Sequence, residues 1–189
     1  MSNDLTRAIP MINKDLLGGV DKVYLFSFVK YSRSQIVISG QELVTFPATT
    51  IYKTHSVATN YSETTSVEGG AIAFGQSFSV EFPKTSVESE LYKMVRGDWR
   101  AIYIDRIGNI RILGLYNGLD AQLSNETGAD KSGFNGYKVT FTGKEDNQAY
   151  FIDDLAAVGF VVWVDPDQNY VFEDGCDYIF EDGNNFIFE

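Results

Sequence analysis

The sequence contains very few of the residues that build disulfide frameworks, metal centres and many active sites. Its 189 residues include one cysteine, Cys176, and one histidine, His55. A single cysteine excludes an internal disulfide framework. The longest apolar run, Leu155–Val164, has ten residues, whereas a helix that crosses a bilayer needs about 20. The N-terminus also lacks the basic, apolar and small-residue order of a secretory signal. We therefore expect a soluble protein, made inside the cell, with no membrane partner.

Basic residues are missing from one end of the chain. The net charge is −11, and residues 165–189 hold eight acidic residues and no lysine or arginine. Residues 1–164 carry the remaining −3. Affinity for nucleic acid depends mainly on Lys and Arg side chains that neutralise phosphates. We therefore expect no specific binding to nucleic acid.

Motifs for nucleotide binding and common catalytic sites are also missing. Neither GxGxxG nor GxxxxGK[ST] occurs. His55 lies in a predicted strand with no acidic residue close in sequence, and a Ser-His-Asp site assembled from distant segments is the alternative. We interpret Cys176 as a turn residue, and Asp153 and Asp154 as solvated charges rather than a general acid and base. We predict that the protein is not an enzyme, uses no cofactor, and tolerates His55→Ala and Cys176→Ser.

Alternating apolar and polar residues predict a mainly β body over residues 1–160. The clearest strand is Ala71–Phe82, whose alternate positions are apolar except for Gln76. Ser124–Gly136 is largely small and polar, and we interpret it as a long loop that reaches a neighbouring subunit. These elements favour an antiparallel β-sandwich or a partly closed barrel.

One helix is predicted near residues 86–96. Pro83 ends the preceding strand, and Thr85 with Glu88 has the spacing of a capping box. Gly97 supplies the stop. Weaker helical patterns occupy Leu5–Leu17 and Ile152–Ala157. Helical spacing predicts that four side chains pack this helix on the sheet: Val87, Leu91, Met94 and Val95.

Residues 161–189 repeat an acidic, aromatic unit of eight residues. Each copy has four strand-like residues (YVFE, YIFE, FIFE), separated by turns rich in Asp and Gly. Val162–Asn169 is a diverged further copy. Such small sheets are marginal alone, so we predict short β-hairpins that dock on the body, on another copy or on another protein. Six aromatic residues fall on one face of their strands and form the candidate interaction site: Tyr170, Phe172, Tyr178, Phe180, Phe186 and Phe188.

Calcium binding is the alternative interpretation of this repeat, because Asp-Gly turns at a fixed period occur in calcium-binding β-rolls. The nine-residue pattern of those proteins is missing, and the period here is eight. EF-hand spacing is also missing. We therefore predict no metal site.

Three stretches of the body resemble structural proteins of tailed phages that infect Bacteroidetes, including crAss-like phages. The resemblance spans most of residues 1–155, in order along the chain. The stretches that carry it are GGVDKVYLF (18–26), FSVEFPKTSVESELYKMVRGD (78–98) and ILGLYNGLDAQLSNETGADKSGFNGYKVTFTGKEDNQAYFI (112–152).

This resemblance implies a non-enzymatic virion protein of the tail or neck, made in the cytoplasm of the bacterial host. The implied form is a tail-tube-like or ring protein, a homo-oligomer through which the genomic DNA passes without specific binding. Its implied partners are other tail or neck proteins. The alternative is a carbohydrate- or receptor-binding β-sandwich module of a tail fibre or baseplate.

Overall fold

The architecture is mainly β, in a computed structural model that describes residues 19–54, 58–84, 88–127, 134–163, 180–181 and 185–186. Strands make up 62% of these residues, which confirms the predicted fold class. Strands β13 (Phe180–Glu181) and β14 (Asn185–Phe186) form a separate two-stranded sheet. Twelve strands share the main sheet: β1 (Val20–Ser27), β2 (Val37–Ser39), β3 (Glu42–Thr45), β4 (Thr49–Thr54), β5 (Ala58–Glu68), β6 (Ala71–Pro83), β7 (Asp98–Asp105), β8 (Ile110–Leu113), β9 (Leu119–Glu126), β10 (Gly136–Glu145), β11 (Tyr150–Ile152) and β12 (Phe160–Val162).

The described residues contain two short α-helices. Helix α1 (Glu88–Met94) lies in the range predicted for the main helix, and α2 (Leu155–Val158) overlaps the weaker helical pattern Ile152–Ala157. Helix α2 forms because the Asp154 side chain accepts hydrogen bonds from the backbone N–H groups of Ala156 and Ala157, at 2.7 and 3.0 Å. Gly159 then ends the helix in the left-handed conformation, with φ 117°. Asp154 is therefore a helix cap. The helical pattern at Leu5–Leu17 lies outside the described residues.

The main sheet branches at β7. One edge of β7 pairs antiparallel with β1, and the other edge pairs first with β9 and then with β8. The sheet continues from β8 through β11 and β3 to β2, from β1 through β4 to β12, and from β9 through β10 and β6 to β5. Its curl produces an open half-barrel.

Two apolar cores lie on opposite faces of the central strands. In β1, Val23 and Leu25 belong to the first core, while Tyr24 and Phe26 belong to the second. The first core includes residues of β6, β9 and β10, and the second includes residues of β3, β4, α2 and β12. Each fully buried aliphatic or Phe side chain contributes about 1.5–3 kcal/mol. The last residue of either core among the described residues is Phe160.

Helix α1 packs on the first core through a narrower face than the sequence predicts. Leu91 is 4% exposed, and Met94 packs against the same core. The prediction that Val95 packs there is wrong, because it is 43% exposed. Since the helix ends at Met94 and the chain then turns, Val95 leaves the helical spacing. Val87 lies outside the described residues.

Leu91→Ala is expected to lower the free energy of unfolding by about 2–5 kcal/mol, because it removes a buried side chain and leaves a cavity. Tyr92→Ala is the control on the same helix, since Tyr92 is 52% exposed. The control is expected to change stability by about 0.5 kcal/mol or less. Urea unfolding of both variants measures the difference. Equal effects would show that the face of α1 is assigned incorrectly.

The connection between β9 and β10 is shorter than the predicted loop Ser124–Gly136, because residues at both ends of that range belong to strands. Strand β9 continues through Glu126 and β10 begins at Gly136, and these two residues are register partners. Pairing with the neighbouring strand overrides the loop-like composition there. A side chain at Gly136 would place Cβ 2.1 Å from the backbone oxygen of Phe82, so β6 packs against the start of β10 with room for glycine only.

Candidate functional site

The candidate interaction site in the terminal repeat is described only at its final hairpin. Strands β13 and β14 pair antiparallel, with Phe180 opposite Phe186 and Glu181 opposite Asn185. The shared aromatic face therefore stays a prediction. The other residues singled out in the terminal repeat lie outside the described residues: Tyr170, Phe172, Cys176, Tyr178 and Phe188. The same holds for His55.

Three strands of the main sheet have an edge without a strand partner among the described residues: β2, β5 and β12. The edge of β5 is the longest, because this strand pairs with β6 over eleven consecutive positions without a shift of register. Natural edge strands are commonly protected by Lys, Pro or a bulge. Strand β5 contains no Lys, Arg or Pro. Its charged residues are Glu63 and Glu68, and its register has no bulge, so its edge is suited to pairing with another strand.

The tip of the β5–β6 hairpin exposes apolar side chains. Val67 is 74% exposed and Ile72 is 58% exposed, and the two are register partners. Gly69 and Gly70 make the turn between them with positive φ angles of 57° and 86°, which glycine adopts without strain. The tip and the edge of β5 together form one continuous candidate surface for contact with another protein.

The other end of β5 is fixed to the body. The Tyr61 hydroxyl donates a hydrogen bond to Glu63 Oε2, which also accepts one from the backbone N–H of Ala149 at 3.0 Å. The Tyr61 ring lies 4.7 Å from the Tyr103 ring, centroid to centroid. Burial, followed by the hydrogen bond to Glu63, raises the pKa of Tyr61 well above its ordinary value. The hydroxyl therefore stays protonated and keeps donating at neutral pH.

Gln76, which interrupts the apolar face of β6 in the sequence, is buried and has a structural partner. Its Oε1 accepts a hydrogen bond from the backbone N–H of Gly114 at 2.9 Å. Gly114 has a φ of +66°, and a Cβ there would lie 2.7 Å from Leu119 Cγ. Gln76 thus fixes the start of the segment that connects β8 to β9.

Arg100 fixes the middle of the same segment from within the core. Its side chain is 1% exposed; Nε donates to the backbone oxygen of Leu115 at 3.0 Å, and Nη2 donates to that of Val29 at 2.9 Å. The guanidinium lies 4.2 Å from the centre of the Phe28 ring, a favourable cation–π contact. Burial lowers the pKa of Arg100 to about 10, so it remains a buried cation at neutral pH.

Glu145 holds the end of the segment. Its Oε1 accepts hydrogen bonds from the backbone N–H groups of Tyr116 and Asn117, at 3.0 and 2.9 Å. Burial raises the pKa of Glu145, while these two N–H groups and the charge of Arg100 oppose that rise. Glu145 Oε2 and Arg100 Nη1 have no hydrogen-bond partner among the described residues. The side chains of Gln76, Arg100 and Glu145 thus hold residues 114–118 in place. No motif spacing in the sequence predicts that these three side chains contact the same segment.

A polar groove lies on the outer face of β5, β6, β9 and β10. It has a volume of about 570 Å³, and its lining includes Ser62, Thr64, Asn117, Asp120 and Lys144. No aromatic side chain lines it. Its hydroxyl, amide and charged side chains can form hydrogen bonds with a polar ligand.

No group of three or more His, Cys, Asp or Glu residues in the described ranges could hold a metal ion. None of the described helices has the length and apolar character needed to cross a bilayer.

Comparisons with protein-family models, curated proteins and solved structures give no match. The resemblance to phage tail and neck proteins therefore remains a prediction from the sequence segments.

Proposed function

We propose that the protein is a structural component of a phage virion, in the tail or neck, which assembles as a homo-oligomeric ring or tube around the DNA channel. The observation that carries the proposal is the long edge of β5 in an open, curled sheet. Such an edge adds a strand from another chain through main-chain hydrogen bonds. The resemblance of the three sequence segments supplies the virion context.

The β5–β6 hairpin is built for contact between copies. Tyr61 and Glu63 fix its inner end to the body, while Val67 and Ile72 expose apolar surface at the tip. A ring requires a head-to-tail contact, in which one surface of a subunit meets a different surface of the next. Strand β5 and the hairpin tip supply one of these two surfaces.

The charge of the chain suits a channel for DNA. Each copy carries a net charge of −11, of which −8 lies in residues 165–189 and −3 in the body, so the chain as a whole repels phosphate and has no excess of basic residues to bind the genome specifically. The acidic, aromatic repeat then serves as the docking element for other tail or neck proteins.

Ser62→Lys is expected to abolish rings or tubes, because it places a charge on the edge strand that meets the neighbouring copy. Thr142→Lys is the matched control. Both residues are exposed and both are register partners of Ser77, so they share one face, but β10 already has a strand on each side. Negative-stain microscopy and light scattering of the full-length proteins give the result. A strict monomer in every condition and in the particle, or equal assembly of both variants, would overturn the proposal.

The polar groove favours a second candidate function, a carbohydrate- or receptor-binding module of a tail fibre or baseplate. Asp120, in β9, lines this groove, and its carboxylate could accept hydrogen bonds from sugar hydroxyls. Binding of the monomer to host-surface glycans, with loss of binding in Asp120→Ala, would favour this candidate over the ring.

A further inference from the structure

The tip of the β5–β6 hairpin projects beyond the strands beside it. Strand β10 pairs with β6 as far as Glu145 opposite Phe74, whereas β5 and β6 continue together for three more pairs, to Glu68 opposite Ala71. No third strand of the described sheet pairs with these residues. At about 3.4 Å per residue, the tip extends about 10 Å past the end of β10. A two-stranded ribbon is marginal in water by itself, so a covering surface would stabilise the tip.

The apolar side chains of the tip lie on the face of the sheet that carries the first core. Phe78 belongs to that core, and Tyr61, its register partner, packs against it. Val67 lies six positions after Tyr61, and Ile72 lies six positions before Phe78. Because side chains alternate between the two faces of a strand, all four residues share one face. Val67 and Ile72 are exposed because no described strand covers this face at the tip.

A second uncovered part of the same face lies at the β12 edge of the sheet. Tyr52 in β4 is 51% exposed, Val161 in β12 is 60% exposed and Trp163 is 44% exposed, and we call these three residues the β12 patch. Tyr52 pairs with Leu25 of the first core, and directly opposite residues share a face. Val161 pairs with Thr50, two positions before Tyr52, so it lies on that face as well. The Trp163 and Tyr52 rings lie 5.7 Å apart, centroid to centroid.

The tip and the β12 patch complement each other in chemistry and in charge. Both are apolar, and the patch contains Tyr and Trp, the residue types that most often anchor protein interfaces. The charged residues of β5 are Glu63 and Glu68, whereas β4 has Lys53 and β12 has no charged residue. Opposite charges favour contact between the two surfaces over contact of the tip with a second tip. A second copy of the chain therefore suits both surfaces.

We propose that the hairpin tip of one copy packs face to face on the β12 patch of the next copy. Two sheets packed in this way bury the apolar side chains between them, here those of Val67 and Ile72 against those of the β12 patch. The contact joins two different surfaces of the chain, which is what a head-to-tail ring requires. This inference rests on the proposed assembly of copies, and it supplies the second of the two contact surfaces.

A lysine in each surface tests the contact in the full-length protein. Val161→Lys changes the β12 patch and Val67→Lys changes the tip, and each is expected to weaken self-association at least ~10-fold, because the contact would bury an unpaired charge. Val37→Lys is the matched control, since Val37 is 48% exposed and also lies in an edge strand of three residues. Circular dichroism checks folding, and sedimentation velocity over a concentration series measures association. If a lysine variant does not fold, the serine variant at the same position takes its place.

Mixing the two variants distinguishes a head-to-tail contact from a symmetric one. The Val67→Lys copy keeps an intact β12 patch and the Val161→Lys copy keeps an intact tip, so their equimolar mixture is expected to form a heterodimer that grows no further. A mixture that stays monomeric would overturn the inference. Assembly of Val161→Lys equal to that of Val37→Lys would overturn it too, while rings of the unmodified protein would leave the proposed function standing. A strict monomer of the unmodified chain, in every condition and in the particle, would overturn both.

Discussion

Replacing Arg100 with alanine is expected to lower the free energy of unfolding by about 3–5 kcal/mol, because it breaks a buried charge network by removing one partner. The backbone oxygens of Leu115 and Val29 lose their donors, and Glu145 loses the cation that favours its charged form. The cation–π contact with Phe28 is lost as well. Denaturant unfolding followed by circular dichroism measures the effect.

Arg33→Ala is the control for loss of an arginine at the surface. The Arg33 side chain is 77% exposed and lies 3.5 Å from an Asp146 carboxylate; such exposed pairs contribute about 0–1 kcal/mol. If Arg100→Ala fails to fold, Arg100→Lys is measured instead. Lysine keeps the positive charge but cannot donate to the oxygens of Leu115 and Val29 in the same geometry. We expect this variant to lose less free energy of unfolding than Arg100→Ala. Stability of Arg100→Ala equal to that of Arg33→Ala would show that the buried network does not hold residues 114–118.

Truncation after Val164 is expected to leave a folded body that joins its partner poorly. Every core residue in the described ranges lies at or before Phe160, and residues 165–189 carry eight acids and no base. If all six repeat aromatics are buried, each contributes about 1.5–3 kcal/mol, while ordering each residue costs about 1–2 kcal/mol. On these magnitudes the repeat depends on the body or on a partner for its order.

Circular dichroism, thermal melting and incorporation into rings or particles test the truncated chain. Truncation after Glu181, which removes only the last copy of the unit, is the graded control. A chain ending at Val164 that does not fold would show that the repeat belongs to the folding core. A chain that folds and assembles like the full-length protein would show that the repeat has neither role.

The sequence predicts local features of this fold well, because they depend on periodicity. Alternation in β6 identifies Phe78 and Val80 as core residues, and both are buried. The same alternation singles out Gln76 as an exception. Its explanation, Gly114, lies 38 positions away, and no local pattern indicates which backbone group a buried amide will meet.

The branch of the sheet and the buried charges could not be predicted because they arise from non-local pairing. Arg100 is buried because its side chain meets the backbone oxygens of Val29 and Leu115 and the Phe28 ring, and these partners lie far from it in the sequence. Helix α2 was expected only weakly, since four residues give little periodicity. Its cap, Asp154, is the signal that would have identified it.

The central position of β7 also has a consequence for synthesis. Leu25 in β1 pairs with Ala101 in β7, 76 positions later in the chain. At a translation rate of about 5–20 residues per second, β1 waits roughly 4–15 s for its central partner to be made. During that time β4 is the one described strand partner of β1 that has already been made. The apolar side chains on both faces of β1 are not yet buried in the two cores. Because sheets assembled from such distant strands also fold slowly, we expect early β1–β4 pairing to limit the exposure of apolar surface in the nascent chain.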